Sequence, residues 1–554
     1  MTLNSALFKS AVLLISALIL RVLLFKGIAP GDPFTYSSAA WDIVQGHWNP
    51  GYFYEQTTRW SVLFPIAACY KIFGVEEFSS MLWPLLTSVG TVAVAYLLAL
   101  HLRGEQAALW AGILVTCFPL EIMYATQPMA DCPLSFWLLL SLYCFVRGET
   151  ATTGKRWFFL FSGIALALAY AAKFVAILIA PFFLLVLLWR RRIEWNWAWL
   201  GVGFLLIFAV EFIIFQQATG NGFARMELIL HDEASHAPTT AGAFQVQNSV
   251  WLYLYWMFVD FHYVGASFLA LLLMLLHRSV KSWRAINTSF NKNHGEHGGH
   301  GEQIATDTSS FPVRSVVKAL RLIVNPSQCW LPLLWAITFL IILSVYPTST
   351  TPYVPLYKIE VYMLMFSAPL LVLTAVWLSD YARKTQFAVM ALLVLSSLPF
   401  AYLLRESYRA HGDNARAIWA FAKTHADRPL YAHRSDQRFL QYFDEFKRNE
   451  AYQSFRLPKP AEDIQPTPPI HWQHTYVAIN HYMLSYHRED SYPAEITNPP
   501  GSWREVYRYQ RPEHWLRRVM ATLTRQISPS LAEPINRKFA NWSHTQPVII
   551  YATD

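Results

Sequence analysis

The sequence predicts an all-α polytopic membrane domain followed by a small α/β domain outside the membrane. Of the 554 residues, 54% are hydrophobic and only 14% are charged, whereas soluble domains carry about a quarter charged residues. Apolar runs of roughly 17–25 residues, long enough to cross a bilayer, recur up to residue 404. From residue 405 onward, the sequence shows helix-like and strand-like patterns typical of a small soluble domain.

About eleven apolar runs predict membrane-spanning helices. They lie near residues 8–28, 78–100, 107–123, 133–147, 157–172, 174–189, 197–216, 259–277, 329–346, 360–378 and 386–404. The amphipathic segment 61–74, SVLFPIAACYKIFG, is too short to span, and we expect a helix lying along the membrane surface.

Lys and Arg residues cluster in alternate loops and predict the cytoplasmic side. The opposite side then holds the first outer loop, residues 29–77, together with residues 124–132, 217–258 and 347–359. An odd number of spans places the C-terminal domain on that outer side as well. The predicted domains are therefore residues 1–404 and residues 405–554.

Several classes of function and site are disfavoured by the sequence. The net charge of +8 follows the loop pattern, and no basic helix typical of a nucleic-acid module is seen. None of the five cysteines forms a CxxC pair, so neither a zinc knuckle nor a disulfide framework is indicated. The His-containing stretch NHGEHGGHGE favours a flexible Gly-rich linker over a metal site. We find no P-loop, GxGxxG or outer DxD motif that would bind a nucleotide.

Two carboxylates stand out because they lie in outer loops close to the membrane, where ionisable groups are costly. Asp32 precedes Pro33, and Asp131 begins the predicted span at Pro133. The structural alternative for each is a helix N-cap. As a pair, they can bind one divalent cation or divide general-base and orienting roles.

Three cations lie on the same predicted face: Arg59, Lys173 and Lys358. A Lys or Arg that snorkels from the end of a span is common, so each alone favours a structural role. Together they surround the carboxylates with positive charge, which suits an anionic phosphate group. For Arg21 and Glu211, both inside predicted spans, the sequence leaves open whether they face the bundle interior.

A set of motifs follows in a fixed order along the first 405 residues. Asp32 is followed by A-x-x-I-V-x-G-H-W-x-P at residues 40–50, by Arg59 ahead of IFG, by YATQPMADCPLSFW and by GIALALAYAAKF. This ordered set resembles the C-type integral membrane glycosyltransferases, and most closely glycosyltransferase family 39. That family includes protein O-mannosyltransferases and the lipid A aminoarabinose transferase.

The resemblance implies transfer of a sugar from a polyprenyl-phosphate donor to an acceptor on the periplasmic side of the bacterial inner membrane. It implies Asp32 and Asp131 as catalytic residues, and Arg59, Lys173, Lys358 and Tyr362 as donor-binding residues. A divalent metal held by Asp32, Asp131 and Glu55 is implied as an alternative role, with Glu55 replacing the acid that many relatives carry at Pro33. The acceptor class stays open among lipid, glycan and protein.

Two other functions are compatible with a polytopic membrane protein: a secondary transporter and a ligase of lipid-linked oligosaccharides. Transporters place charges near the bilayer midplane on repeated, broken helices. Here the polar candidates crowd one face, and no internal repeat is visible. A ligase would be favoured by a much longer outer loop late in the bundle, which the sequence does not show. The sequence therefore favours a transferase.

Overall fold

The computed structural model describes most of the chain. The described residues are 3–29, 31–50, 55–191, 194–236, 249–295, 329–350, 353–356, 358–447, 449–455, 470, 472–486, 492–525 and 545–554. Their architecture is mainly helical with one small mixed sheet near the C-terminus. The predicted class is confirmed at this level, because a mainly helical part is followed by a part with a small sheet.

Twenty α-helices are assigned in the described residues. They are α1 (Leu3–Leu23), α2 (Asp32–Gln45), α3 (Trp60–Phe73), α4 (Glu77–Arg103), α5 (Glu105–Thr116), α6 (Pro119–Tyr124), α7 (Asp131–Thr150), α8 (Lys155–Ala172), α9 (Ala180–Arg190), α10 (Ala198–Thr219), α11 (Ala224–His236), α12 (Leu252–Phe258), α13 (Ser267–Gly295), α14 (Trp330–Val345), α15 (Leu364–Leu378), α16 (Arg383–Thr424), α17 (Arg434–Phe443), α18 (His481–Tyr486), α19 (Ala494–Thr497) and α20 (Trp515–Thr524).

The strands form two sheets. They are β1 (Pro347–Thr350), β2 (Tyr353–Pro355), β3 (Leu430–Ala432), β4 (Tyr452–Ser454), β5 (Thr475–Asn480), β6 (Arg504–Tyr509) and β7 (Val548–Thr553). β1 and β2 pair as a short antiparallel ribbon, and the larger sheet has the order β4-β3-β5-β7-β6. In it, β3 is parallel to β4 and β5, whereas β7 runs antiparallel to β5 and β6.

Four helical segments are long and apolar enough to cross a membrane in the part of the chain that the structure describes. They are Glu77–Arg103, Trp195–Thr219, Glu360–Leu378 and Arg383–Arg409. The predicted number of eleven spans is therefore not confirmed. Two predicted spans are interrupted: 107–123 is divided between α5 and α6, and 174–189 begins as a 3₁₀ segment, Phe174–Ile179, before α9.

Helix α15 lies at the centre of the bundle, because all fifteen of its residues are buried. Small residues allow close approach of helices elsewhere in the bundle. A methyl group at Gly163 of α8 would lie 2.0 Å from the carbonyl oxygen of Leu200 in α10. A methyl group at Gly203 would lie 2.2 Å from the carbonyl oxygen of Leu160. The glycines at this crossing let α8 and α10 touch backbone to backbone.

Helix α16 runs for 42 residues from the bundle into the sheet-bearing part of the chain. Its first part is an apolar span, and its last turns place Ile418 and Phe421 in the core beneath the sheet. The predicted domain boundary at residue 404 thus falls inside a continuous helix. The division into residues 1–404 and 405–554 stays a prediction.

The predicted elements of the C-terminal part agree well with the observed ones. The stretch DNARAIWAFAKTHADRPLYAH forms the end of α16 and then β3, while HTYVAINHY and PVIIYATD contain β5 and β7. The predicted surface helix at 61–74 is found as α3, and its position relative to a membrane stays a prediction. Of the three histidines of the predicted linker, His297 and His300 lie outside the described residues.

Helix α17 packs the C-terminal part against α2. The ring of Phe439 meets Phe34 edge to face at 4.3 Å between centroids. A chain of buried hydroxyl groups then joins α17 to α2 through α4 and α3. It runs from Tyr442 to Ser80 (2.7 Å), from Ser80 to Tyr70 (2.7 Å) and from Tyr70 to Ser37 (2.5 Å). Because α2 begins at Asp32, this contact supports the helix that carries a predicted catalytic residue.

Candidate active site

Asp32 is the first residue of α2 and is exposed. Gly31 occupies the N-cap with φ 95°, a backbone conformation that favours glycine. No side-chain hydrogen bond caps this helix, so the N-cap alternative for Asp32 is wrong. Its hydrogen-bond partner among the described residues is Gln56, whose Nε2 donates to Oδ1 at 3.4 Å. The carboxylate therefore keeps acceptor capacity for a substrate.

Asp131 is the first residue of α7 and, unlike Asp32, is only 2% exposed. Ala130 is the N-cap, and no side chain caps the helix, so Asp131 is not an N-cap either. Lys173 Nζ donates to Asp131 Oδ1 at 3.0 Å, and within the described residues Oδ2 has no partner. Because the pair is buried, removal of either partner would leave the other charge without compensation.

Arg59 immediately precedes α3 and is buried. Its Nη2 donates to Glu55 Oε2 at 2.9 Å, and Nη1 donates to the hydroxyl oxygen of Tyr36. Burial opposes ionisation of Glu55, but the charge of Arg59 lowers the pKa of this carboxyl overall. Glu55 is therefore an ionised partner that holds the guanidinium in place.

Sequence reasoning did not identify Tyr36, although a signal was present. Residues four apart share one face of a helix, and Tyr36 lies four residues after Asp32. Burial raises the pKa of Tyr36, so its hydroxyl stays protonated at physiological pH. Tyr36 thus connects the helix of Asp32 to the guanidinium of Arg59.

A cavity of about 100 Å³ brings together four of the predicted site residues. Its lining is Glu55, Arg59, Lys173, Phe174, Val175, Leu178, Ile229, Tyr346, Leu356 and Tyr362. Lys173 Nζ lies 4.7 Å from the centroid of the Tyr362 ring. Two buried cations beside an aromatic ring and aliphatic walls suit an anionic head group attached to an apolar chain. Asp32 and Asp131 are not among the lining residues.

Lys358 is buried next to this cavity without lining it. Its Nζ donates at 3.3 Å to the carbonyl oxygen of Leu356, which does line the cavity. Burial lowers the pKa of the Lys358 ammonium to about 8. The charge of Lys358 therefore changes within a pH range in which enzyme assays can be carried out.

The predicted metal set of Asp32, Asp131 and Glu55 does not form a preassembled cluster. Among the residues that the structure describes, no three His, Cys, Asp or Glu side chains are grouped as metal ligands. Asp131 is engaged by Lys173, and Glu55 is engaged by Arg59. The arrangement does not fit a metal held by these three carboxylates.

The two ionisable groups left open by the sequence both face the protein interior. Arg21 is buried, and its Nε donates to Ser88 Oγ at 2.7 Å. Glu211 is buried and accepts from Arg225 Nη1 at 2.6 Å and from Trp60 Nε1 at 2.7 Å. Arg225 was not singled out from the sequence, and its pairing with Glu211 joins α10 to α11.

Four aromatic residues of the first outer loop, Trp41, Trp48, Tyr52 and Trp60, are of the kind that can stack on a sugar ring. Trp48 and Trp60 pack in one apolar cluster, and Trp41 stacks on Phe446 with 6.2 Å between centroids. The Trp48 ring nitrogen donates to the carbonyl oxygen of Thr57 at 3.1 Å. Tyr52 lies outside the described residues. These contacts give the three Trp side chains a structural role.

Residues 61–215 match the family model for dolichyl-phosphate-mannose-protein mannosyltransferase. The segment includes α3 and α7, and it contains both Asp131 and Lys173. No curated protein matches the sequence significantly.

Solved structures share the fold over nearly the whole chain. ArnT from Cupriavidus metallidurans in the apo state is 13% identical with a TM-score of 0.57, covering 91% of this chain and 96% of that one. The same protein bound to undecaprenyl phosphate is 12% identical with a TM-score of 0.55, covering 100% and 98%. The apo oligosaccharyltransferase of Archaeoglobus fulgidus is 11% identical with a TM-score of 0.55, covering 99% and 88%.

These similarities agree with the resemblance that the ordered motifs of the sequence indicate. The shared fold covers most of the chain, and the family match contains the cavity residue Lys173. Arg59 lies two residues before the matched segment. Over residues 61–215 the chain is therefore similar to the dolichyl-phosphate-mannose-protein mannosyltransferase family, and it shares its fold with ArnT and the oligosaccharyltransferase.

Proposed function

We propose that this protein transfers a sugar from a polyprenyl-phosphate carrier to an acceptor hydroxyl. The observation that carries the proposal is the cavity in which Arg59 and Lys173 converge, next to the helix that begins with the exposed Asp32. A phosphate joined to a long apolar chain matches two buried cations and an apolar lining. A solved structure of ArnT, which has this fold, is bound to undecaprenyl phosphate.

The proposed reaction is a single displacement with inversion. The acceptor oxygen forms a bond to the anomeric carbon as the bond between that carbon and the phosphate oxygen breaks. The electron pair of the broken bond stays on the phosphate, and the acceptor proton moves to the Asp32 carboxylate. Because the donor already carries a good leaving group, the reaction needs no nucleotide.

Arg59 and Lys173 stabilise the charge that develops in this reaction. Negative charge increases on the departing phosphate, and preorganised cations in a poorly solvated site stabilise it. Glu55 holds the guanidinium of Arg59, and Asp131 holds the ammonium of Lys173. In this assignment Asp131 orients a donor-binding residue, while Tyr362 and Lys358 complete the donor site.

The exposed carboxylate is the better general base of the two. A base must reach the acceptor proton, and Asp32 is exposed at the beginning of α2 whereas Asp131 is buried in an ion pair. The acceptor side of the proposed site is therefore the surface around Asp32 and Gln56.

The proposal also includes the cellular location of the protein. We assign the protein to a bacterial inner membrane, with the site and the sheet-bearing C-terminal part on the periplasmic side. Apolar spans and the shared membrane-enzyme fold support the membrane assignment. The distribution of Lys and Arg among the loops supports the orientation.

Transfer of a larger glycan is a second candidate. The fold is shared with an oligosaccharyltransferase over 99% of this chain. The two candidates differ in the donor, so the same assay distinguishes them.

The test is transfer from a panel of radiolabelled polyprenyl-phosphate sugars and a lipid-linked oligosaccharide, with and without a chelator. Asp32→Asn is expected to abolish transfer without lowering the thermal unfolding midpoint, because the side chain is exposed. Asp42→Asn is the matched control, on the same helix about 15 Å away, and should keep activity. Full transfer by Asp32→Asn would refute the assignment of the base.

A further inference from the structure

Helix α20 presents an exposed apolar stripe outside the predicted spans. Trp515, Val519 and Leu523 are 57%, 42% and 55% exposed. Their spacing of four residues places them along one face of the helix. Among the described residues beyond Thr424, Val506 is the other exposed large hydrophobic residue. The exposed apolar side chains of this part of the molecule are therefore concentrated on one short helix.

The start of α20 is tied to the end of a membrane span. His514 Nε2 lies 3.1 Å from the Tyr402 hydroxyl. Tyr402 belongs to the apolar segment Arg383–Arg409 and lies three residues before Arg405, where charged residues begin. The adjacent Arg511 donates to Glu406 Oε2 at 3.3 Å. These contacts place the first turn of α20 beside the end of this apolar segment, where the sequence changes from apolar to charged residues.

The charges around the stripe have one predominant sign. Residues 511–525 contain four arginines and one glutamate. At 100° per residue, Arg518 falls at one edge of the apolar face, and Arg525 directly follows the last residue of α20. Both arginines are exposed. Arg517 Nε lies 3.5 Å from Glu513 Oε1, while Arg518 Nε lies 4.0 Å from Oε2. An apolar face with arginines at its border is typical of a helix lying in a membrane interface.

We propose that α20 lies in the bilayer interface as a membrane-contacting helix of the C-terminal part, with anionic phospholipids as its partner. Trp515, Val519 and Leu523 insert among the upper acyl chains, and Arg518 and Arg525 contact lipid phosphates. Trp is favoured at this depth because its ring is amphipathic. The contact holds the sheet against the membrane close to where α16 emerges, independently of the chemistry proposed above.

The test uses full-length protein in nanodiscs of equal parts phosphatidylcholine and phosphatidylglycerol. An environment-sensitive fluorophore is attached at Val519→Cys after Cys69 and Cys117, which are partly exposed, are replaced by alanine. Lipids brominated on their acyl chains should quench this label as strongly as one at Leu395→Cys, an exposed position within the α16 span. Val506→Cys, exposed on β6, is the matched control and should be quenched by aqueous iodide instead.

A label at Val519 that behaves like the label at Val506 would overturn the proposal. Burial against a second copy would overturn it as well, and would show as a signal that changes with protein concentration but not with brominated lipid. Replacing Arg518 and Arg525 by glutamine should reduce quenching at Val519 in the anionic nanodiscs and leave it unchanged at Leu395. Equal quenching before and after this change would exclude the phosphate contacts.

Discussion

The beginnings of α2 and α7 have nearly the same local design and different surroundings. Each helix begins with an aspartate, a proline follows within two residues, and neither helix has a side-chain cap. Asp32 is exposed and contacts only the amide of Gln56 among the described residues, whereas Asp131 is buried against Lys173. Local sequence therefore places the carboxylate, and its burial decides its chemistry.

This difference separates two tasks of an acidic residue at a transfer site. An exposed carboxylate can accept a proton from an incoming hydroxyl. A buried carboxylate in an ion pair stabilises a neighbouring cation, because removal of either partner leaves an uncompensated charge. The comparison predicts that loss of Asp32 affects catalysis alone, while loss of Asp131 affects both folding and catalysis.

The largest effect on stability is expected for Asp131→Asn. It leaves the Lys173 ammonium buried without its carboxylate, which typically costs about 3 to 5 kcal/mol. The thermal unfolding midpoint in detergent should fall clearly, and transfer should fall with it. Asp32→Asn is the control, and a similar loss of stability in that variant would remove the difference between the two helix starts.

The double variant Asp131→Asn with Lys173→Met sharpens the comparison. Removal of both charges should restore much of the lost stability, since an apolar pair can replace a buried ion pair. Transfer should stay low, because the donor phosphate has lost one of its cations. Recovery of activity together with stability would show that Lys173 has only a structural role.

A pH-dependent effect is expected from Lys358. Burial lowers its pKa to about 8. The side chain is therefore positively charged below pH 8, and this charge is lost as the pH rises through 8. If the charge supports donor binding, the apparent KM for the donor should rise between pH 7 and 9. In Lys358→Arg the guanidinium stays protonated, and the rise should disappear. An identical rise in this variant would assign the titration to another group.

The smallest effect is expected from Tyr442→Phe, which breaks the hydroxyl chain between α17 and α2. Loss of one such hydrogen bond costs about 1 kcal/mol. Because α2 carries Asp32, kcat should fall by at most about fivefold, with an unchanged KM for the donor. Tyr431→Phe in β3 is the control. A change in KM without a change in kcat would show that the Tyr442 contact does not help to position Asp32.

Much of the local structure could be predicted from the sequence. The predicted helix at 61–74 is observed at Trp60–Phe73, and the predicted strands correspond to β3, β5 and β7. Such elements follow from hydrophobic periodicity over a few residues. The same kind of signal failed for 107–123, where an apolar run contains two helices separated near Pro119.

The long-range contacts at the site could not be predicted from the sequence. The pairing of Lys173 with Asp131 joins residues 42 positions apart, and the bond between Arg59 and Tyr36 spans 23 positions. Nothing in the local pattern around Lys173 distinguishes an ion-paired lysine from one that snorkels to the membrane surface. The distinction required the packing of α7 against α8.

For this protein, the sequence alone determined that helices dominate, that a small sheet follows them, and that two aspartates begin helices on one predicted face. These properties depend on neighbouring residues, whose periodicity and charge can be read directly. Only the tertiary structure decided that one aspartate is exposed and the other buried, and that Arg59 and Lys173 line one cavity. Burial and pairing depend on helices distant in the chain, and their packing sets the solvation of each charge.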